Sequence, residues 1–416
     1  MSLDRTKLLE SHASAGVGVA DTTHTTSIRM PGGRMTSRFN RTVLGTVVAM
    51  TLAACGGTVA PTGDLASVDQ TPPPSFTTSP TPSATLASTA PSAGGIPSPD
   101  ASALARNGVI VYSDTAGDIH SLDPETGKTT LLIGGPTNDF GPGFLPDQTR
   151  FQFVRLEGDE DVFYSANADG SDVQRVGPAK EMANSEYSPQ GDRLASVQEG
   201  GSNPTITDVA SGSKRVIPLT KPVNIVSWLT DDLLFVADLH DEGSAVEMWT
   251  VNADGTGQEV IPAPGLCCGV STLRGRGLVA WDSWASGAEG RVHIYDTATG
   301  IDRLLASTDV PGAHFLDALW SPDGKWLTAR RVMAGVDGVQ LVLLASDGSG
   351  EAIALGPKLP TNQGEIRSTF SPDGTKLLVT YEDGSAWLFD LPAGTGGKTD
   401  WSGVVEATWQ GLPPTP

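Results

Sequence analysis

The segment Trp320–Leu327 reads Trp-Ser-Pro-Asp-Gly-Lys-Trp-Leu, and it decides the fold because the chain contains copies of it. Phe370–Leu377 reads Phe-Ser-Pro-Asp-Gly-Thr-Lys-Leu, and Tyr187–Leu194 is a looser copy. Proline presets φ at the second position of a tight turn, and glycine accepts the positive φ at its exit. Each copy therefore predicts two strands joined by a tight turn. Three copies predict a repeat protein.

The residue before each turn is usually aromatic, and it recurs with a period of 40 to 50 residues. The series is Phe144, Tyr187, Trp228, Trp320, Phe370 and Trp409. The interval of 92 residues after Trp228 holds two repeats, with a degenerate anchor near Ser271 to Leu273. A period of this length is typical of a four-stranded propeller blade.

The two ends of the repeat region complete each other. The first repeat has strands at Val109 to Tyr112 and Ile119 to Asp123 but no anchored strand, whereas nothing follows the last anchor, Trp409. We therefore predict an all-β, seven-bladed propeller over residues 107–412, in which the C-terminal strand is the innermost strand of the first blade. Such closure removes an open sheet edge that would favour aggregation.

The repeats, with a later Asn-Ala-Asp-Gly turn such as Asn252–Gly255, resemble the TolB-type (WD-like) β-propeller repeat. The resemblance covers about residues 107–412 and is strongest at Trp320 and Phe370. It implies the propeller fold. TolB usually has six blades and a separate N-terminal α/β domain, which this chain replaces with a linker, so a TolB-like role in envelope assembly does not follow.

Residues 35–54 have the organisation of an export signal. A basic start with Arg38 and Arg41 precedes a 12-residue apolar run that ends in Leu-Ala-Ala before Cys55. Twelve helical residues span about 18 Å, which is shorter than the roughly 30 Å core of a bilayer. The pattern is typical of a secretory signal peptide rather than a membrane-spanning helix.

The Leu-Ala-Ala-Cys-Gly ending resembles the lipobox of bacterial lipoproteins. The resemblance implies that Cys55 carries a diacylglyceryl group with acyl chains such as palmitate, and that the signal is cut before it. The alternative is an ordinary signal peptide with a chance cysteine. We expect residues 1–34 to be a disordered extension, with the natural start at Met35 or Met30.

Residues 55–106 form the predicted linker behind Cys55. Ser, Thr, Pro, Ala and Gly dominate, and aromatic residues are almost absent. Such a segment buries too little apolar surface to offset the entropy of ordering. We expect a disordered tether that holds the propeller outside the cell membrane, on its extracytoplasmic face.

The net charge of −21 limits the partners that the chain can have. The first 54 residues carry six Arg or Lys and three Asp or Glu, so the remainder is near −24. An acidic body repels phosphate backbones, which argues against nucleic acid as a partner. We expect a monomeric domain whose acidity serves solubility.

Cys267 and Cys268 are the one unusual local feature, just before the degenerate fifth anchor. Adjacent thiols outside the cytoplasm tend to oxidise, which would give a vicinal disulfide. A ligand-stacking platform, a structural clip and free buried thiols remain open. Together with Arg274 and Arg276, which replace the usual turn, these cysteines are the candidate ligand-facing residues.

The remaining reactive side chains have structural explanations. His120 and His293 occupy a strand position that other repeats fill with Tyr164, Trp249 or Trp387, so we predict that both pack within blades. The Asp-Gly turns lack the EF-hand spacing, and Asp at such turns bonds its own backbone. We therefore expect no metal, no cofactor and no catalytic residue.

The sequence thus favours a non-catalytic lipoprotein whose propeller binds a protein or a cell-envelope polymer. The alternative is a propeller enzyme, a lyase or a glycan-active protein, with its site at the mouth of the central channel. Carboxylates, His and Arg converging at that mouth would favour the enzyme. A third reading is a structural partner of a neighbouring secretion or signalling protein, and fold alone decides none of these.

Overall fold

The computed structural model describes residues 29–30, 33–34, 104–238, 247–263, 266–283, 290–307, 313–333, 338–360 and 366–414. Most of them form seven four-stranded antiparallel sheets, the blades of the predicted propeller. Blade 1 consists of β30 Glu406–Leu412, β3 Arg106–Ser113, β4 Ile119–Leu122 and β5 Thr129–Ile133. Blade 2 consists of β6 Asp139–Phe144, β7 Arg150–Glu157, β8 Glu160–Asn167 and β9 Gln174–Pro178. Blade 3 consists of β10 Asn184–Tyr187, β11 Arg193–Val197, β12 Thr205–Asp208 and β13 Lys214–Val216.

The remaining blades follow in chain order. Blade 4 consists of β14 Ile225–Trp228, β15 Leu233–Asp238, β16 Glu247–Asn252 and β17 Glu259–Ile261, and blade 5 of β18 Leu266–Leu273, β19 Leu278–Ser283, β20 Arg291–Asp296 and β21 Ile301–Ser307. Blade 6 consists of β22 His314–Trp320, β23 Trp326–Val332, β24 Val339–Ala345 and β25 Ile353–Leu359. Blade 7 consists of β26 Ile366–Phe370, β27 Lys376–Tyr381, β28 Ala386–Asp390 and β29 Thr395–Lys398. One short 3₁₀ helix, Ala179–Met182, connects blades 2 and 3.

The ring closes as the sequence predicts. The C-terminal strand β30 pairs antiparallel with β3, so that Trp409 lies opposite Ile110 and Glu406 opposite Ser113. It becomes the innermost strand of blade 1, in the place that β6, β10, β14, β18, β22 and β26 take in the other blades. Seven blades and closure by the C-terminal strand are both confirmed.

The repeated turn has a side-chain framework that explains its composition. The Ser321 hydroxyl donates to Asp323 at 2.6 Å and accepts the Trp326 N–H at 2.9 Å, while Gly324 has φ of +71°. Ser371 and Asp373 repeat these contacts. Asp323 is therefore a turn residue, as predicted, and the buried serine holds it in place.

The core lies between adjacent blades. Trp228, Leu234 and Val236 on one side of blade 4 pack against blade 3, and all three are fully buried. Ile225 and Phe235 on its other side pack with Trp281 of blade 5. Because successive side chains of a strand point to opposite faces, each blade is apolar on both faces.

The segments before the propeller lie mostly outside the described residues. The predicted signal peptide at 35–54, Cys55 and nearly all of the linker belong to this part of the chain. Within 1–34, β1 Arg29–Met30 pairs with β2 Gly33–Arg34 as a two-stranded ribbon. Among the described residues, no helix has the length and apolar character needed to cross a bilayer.

Candidate functional site

The innermost strands surround the central channel, and their free edges need hydrogen-bond partners. Side chains of the preceding blade supply many of them. Glu406 of blade 1 accepts the Gly141 N–H of blade 2 at 2.6 Å, and Asn184 of blade 3 accepts the Val226 N–H of blade 4 at 3.0 Å. We call these contacts between the inner ends of adjacent blades the polar belt.

Glu186 holds the polar belt between blades 3 and 4. Its carboxylate accepts the Trp228 N–H at 3.1 Å and the Ser227 hydroxyl, and Ser227 lies 2.6 Å from the Thr272 hydroxyl of blade 5. Burial raises the pKa of the Glu186 carboxyl above its ordinary value, although Arg274, Ser227 and the Trp228 N–H favour the charged form.

Asp282 continues the polar belt between blades 5 and 6. One carboxylate oxygen accepts the Gly269 N–H and the other accepts the Asp317 N–H, both at 3.1 Å. Asp317 itself has φ of +55° at an irregularity of β22, and its carboxylate pairs with Arg330. A positive φ is uncommon for a residue other than glycine, and the two bonded groups hold it there.

We call the channel end where the inner strands begin the mouth, and partly exposed charged groups lie there. Arg367 of blade 7 lies 3.1 Å from Glu406 of blade 1, and their side chains are 29% and 26% exposed. The neighbouring pair of Arg330 and Asp317 is less exposed, at 13% and 7%. The mouth therefore combines cations and carboxylates that are already paired with each other.

A third charged pair lies in blade 2, at the same end of the ring. Asp139, which is 1% exposed, accepts two hydrogen bonds of 2.7 Å from Arg155. The hydrogen bonds that Arg155 donates to Asp139 raise the pKa of Arg155 against the opposing effect of burial. The Arg155 guanidinium also lies 4.7 Å from the ring centroid of Tyr164, a cation–π arrangement.

The structure separates the candidate residues predicted from the sequence. Cys267 and Cys268 lie near the start of β18, at the mouth end, and their side chains lie outside the described part of the structure. Arg274 and Arg276 lie in the turn beyond the other end of the same strand, which we call the turn end of the channel. The four residues therefore do not form one site.

The histidines pack as predicted. His120 stacks on Tyr112 with ring centroids 5.3 Å apart, and His293 stacks on Trp281 at 4.1 Å. His293 also contacts Asp302 at 3.0 Å. These contacts lie within blades rather than at the channel.

One group of side chains has the composition of a metal site. Ligand atoms of Asp114, Asp118 and His120 lie within 4.8 Å of one another. Asp114 already accepts the N–H groups of Ala116 and Asp118 and contacts His120 Nε2 at 3.0 Å. Burial raises the pKa of Asp114, but these hydrogen bonds outweigh it and lower the pKa overall. The turn and its hydrogen bonds account for the cluster as it stands.

Comparison with known proteins supports the fold and leaves the activity open. No family model and no curated protein matches the sequence. The manganese complex of an oligogalacturonate lyase is similar in structure, with a TM-score of 0.51, 13% identity, and coverage of 71% of this chain and 85% of the other. TolB of Acinetobacter baumannii has a TM-score of 0.45 and 15% identity, with coverage of 72% of this chain and 81% of the other. The periplasmic gluconolactonase of Pseudomonas aeruginosa has a TM-score of 0.47 and 17% identity, with coverage of 73% of this chain and 99% of the other.

These neighbours include TolB and enzymes, and at such identities the likeness extends to the fold alone. A shared propeller does not transfer an activity. The chain is a seven-bladed β-propeller with TolB among its structural neighbours.

Sequence reasoning missed the polar belt and the charged pairs at the mouth. A signal was nevertheless present, because the residue three positions before the anchor is polar or charged in several repeats. These residues are Asn184, Asp317, Arg367 and Glu406. Apolar residues, Ile225 and Val270, take the same position in blades 4 and 5.

Proposed function

We propose that this chain is a lipoprotein, anchored by Cys55 to the extracytoplasmic face of the cell membrane, whose propeller binds a protein or a cell-envelope polymer at the mouth. The export signal, the lipobox-like Leu-Ala-Ala-Cys-Gly and the Ser/Thr/Pro linker support the location. The half-buried pair of Arg367 and Glu406 is the observation that carries the binding site.

The chemistry of the mouth suits recognition. A guanidinium and a carboxylate side by side offer fixed donors and acceptors to a ligand that carries both, such as a peptide backbone or glycan hydroxyls. Since the two groups already pair with each other, they need no free counter-charge from the ligand. Arginines and carboxylates do converge at the mouth, which the enzyme alternative also requires, but their pairing with each other supports a non-catalytic binding role.

The alternative function is catalysis by a lyase or a glycan-active enzyme, and Glu186 is the observation that favours it. A buried carboxyl with a raised pKa is a candidate general acid. Its Oε1 lies 3.7 Å from Arg274 Nε, which provides the charged neighbour that such sites often contain. The oligogalacturonate lyase shows that an enzyme named for this chemistry has a similar fold.

Incubation of the full chain with purified envelope polymers and envelope proteins of its host distinguishes the binding protein from the enzyme. The proposal predicts saturable binding that Arg367→Ala weakens at least tenfold, with no change in ligand mass. Lys376→Ala is a matched control, because it removes a cation that pairs with Asp390 on the neighbouring strand of the same blade. Turnover of a ligand, abolished by Glu186→Gln, would establish the enzyme instead.

A further inference from the structure

A serine, a histidine and an aspartate of blade 5 form a hydrogen-bonded chain. Ser283 Oγ lies 3.3 Å from His293 Nε2, and His293 Nδ1 lies 3.0 Å from Asp302 Oδ2. The three residues come from three successive strands, β19, β20 and β21. The packing of His293 within its blade follows from the repeat pattern, but its two polar neighbours do not.

These atoms have the arrangement of a nucleophile, a general base and an orienting carboxylate. The carboxylate of Asp302 favours the tautomer of His293 that carries its proton on Nδ1, which leaves Nε2 to accept the proton of the Ser283 hydroxyl. Such a triad is recognised by its geometry and by the roles of its groups, and it occurs on unrelated folds. A long contact between the hydroxyl and the imidazole is common before a substrate binds.

Packing holds the imidazole in this orientation. The ring of His293 stacks on Trp281, with centroids 4.1 Å apart and planes at 13°. The side chains of His293 and Asp302 are 11% and 29% exposed, and Ser283 is 8% exposed. The three groups are therefore shielded from most water but not sealed. The small opening at Ser283 suits a short acyl group.

A cation lies beside the serine. Arg291 is exposed and lies directly opposite Ser283 in the ladder between β19 and β20. Side chains directly opposite each other in an antiparallel pair project to the same face, with Cβ atoms about 5 Å apart. A positive charge at this place stabilises the negative charge that develops on a carbonyl oxygen when a serine attacks it.

We propose that Ser283, His293 and Asp302 form a second functional site, which hydrolyses short acyl esters. Ser283 Oγ attacks the carbonyl carbon while its proton passes to His293 Nε2, and the leaving alcohol takes this proton as its bond to the acyl carbon breaks. Water then attacks the acyl-serine and gives a proton to Nε2, which returns it to Ser283 as the carboxylic acid leaves. Asp302 acts through His293 and is a positioning residue. The site does not rest on the proposed function, because the pair at the mouth belongs to blades 7 and 1.

A fluorophosphonate probe tests this site on the full chain. An activated serine oxygen bonds to the phosphorus of the probe and displaces fluoride. We expect one adduct, found by mass spectrometry in the peptide that contains Ser283, and hydrolysis of p-nitrophenyl acetate that the probe abolishes. Ser283→Ala should lose both, whereas Ser307→Ala, at the serine opposite Arg291 on the other side of β20, should keep both. An adduct at another residue, or none in the wild type, would overturn the proposal even if Ser283→Ala does not fold.

The positioning role of Asp302 has its own readout. Asp302→Asn removes the charge that orients His293, so we expect adduct formation at Ser283 to slow at least tenfold. Asp302→Glu keeps a carboxylate and should recover part of that loss. A purely structural role predicts that both variants, when folded, react at the wild-type rate, and that result would overturn the triad. The assay needs no ligand at the mouth, so a failed envelope-binding experiment leaves its outcome unaffected.

Discussion

The guanidinium of Arg367 lies 3.1 Å from the carboxylate of Glu406, and this contact joins blade 7 to the strand that closes the ring. Glu406 also accepts the Gly141 N–H, so it links the closing blade to blade 2 as well. The residues that complete the ring therefore also form the mouth. Binding at this place and integrity of the ring share the same side chains.

Closure by β30 predicts a strong effect of truncation. Removal of residues 406–416 exposes the edge of β3 and takes Trp409 out of a core cluster with Ile110 and Leu378. We expect aggregation on size-exclusion chromatography and loss of a cooperative thermal transition, because a bare strand edge pairs with other chains. Removal of residues 414–416 alone, beyond the strand, is the control. A monomeric truncated chain with an unchanged transition would show that β30 is dispensable.

The Asp139 and Arg155 pair predicts a large loss of stability when one partner is neutralised. Asp139→Asn leaves a mostly buried guanidinium without its counter-charge, and we expect a loss of about 3–5 kcal/mol in the free energy of unfolding. Glu160→Gln, which breaks an exposed pair with Lys180, should change the free energy of unfolding far less. Denaturant unfolding measures both. Equal losses would mean that burial of the first pair does not matter.

Glu186 predicts a pH dependence of stability with a definite sign. Its folded pKa is raised above the ordinary 4.5, so the folded state binds the proton more tightly than the unfolded state. The stability that this tighter proton binding contributes is fully present below pH 4.5, and it is lost as the pH rises through the raised pKa of folded Glu186. The Glu186→Gln variant does not titrate there, so the wild type should lose stability relative to it over that interval. Denaturant unfolding at several pH values measures the difference, and a difference that is constant with pH would contradict the raised pKa.

Cys55 predicts lipid attachment. In its host, the wild-type chain should incorporate labelled palmitate and fractionate with the membrane, because two or more acyl chains give a stable anchor. Cys55→Ser should lose both properties, while the Cys267→Ser, Cys268→Ser variant keeps them. Membrane fractionation of Cys55→Ser at the wild-type level, without label, would rule out the anchor.

The fold could be predicted from the sequence because the same strand-turn-strand pattern recurs in several blades. Anchors such as Trp320 and turn residues such as Asp323 depend on neighbours within one hairpin, and both take the predicted places. The network at the turn end could not be predicted in this way. Arg274 and Ser188 are 86 residues apart, and their contact depends on the curvature of the ring rather than on a local pattern. The candidate ligand-facing residues predicted from the sequence all lie in blade 5, whereas the proposed binding site, Arg367 and Glu406, lies in blades 7 and 1.

The central claim is that the mouth, and not the rim, meets an envelope component. A photo-crosslinking residue at Ser402, exposed in the segment that leads into β30, reports on the mouth; one at Val260, exposed on an outer strand, reports on the rim. In the living host, we expect a specific crosslinked product from position 402 and its loss in Arg367→Ala. We expect no crosslinked product from position 260. A product from position 260 alone, or one from position 402 that is insensitive to Arg367→Ala, would contradict it.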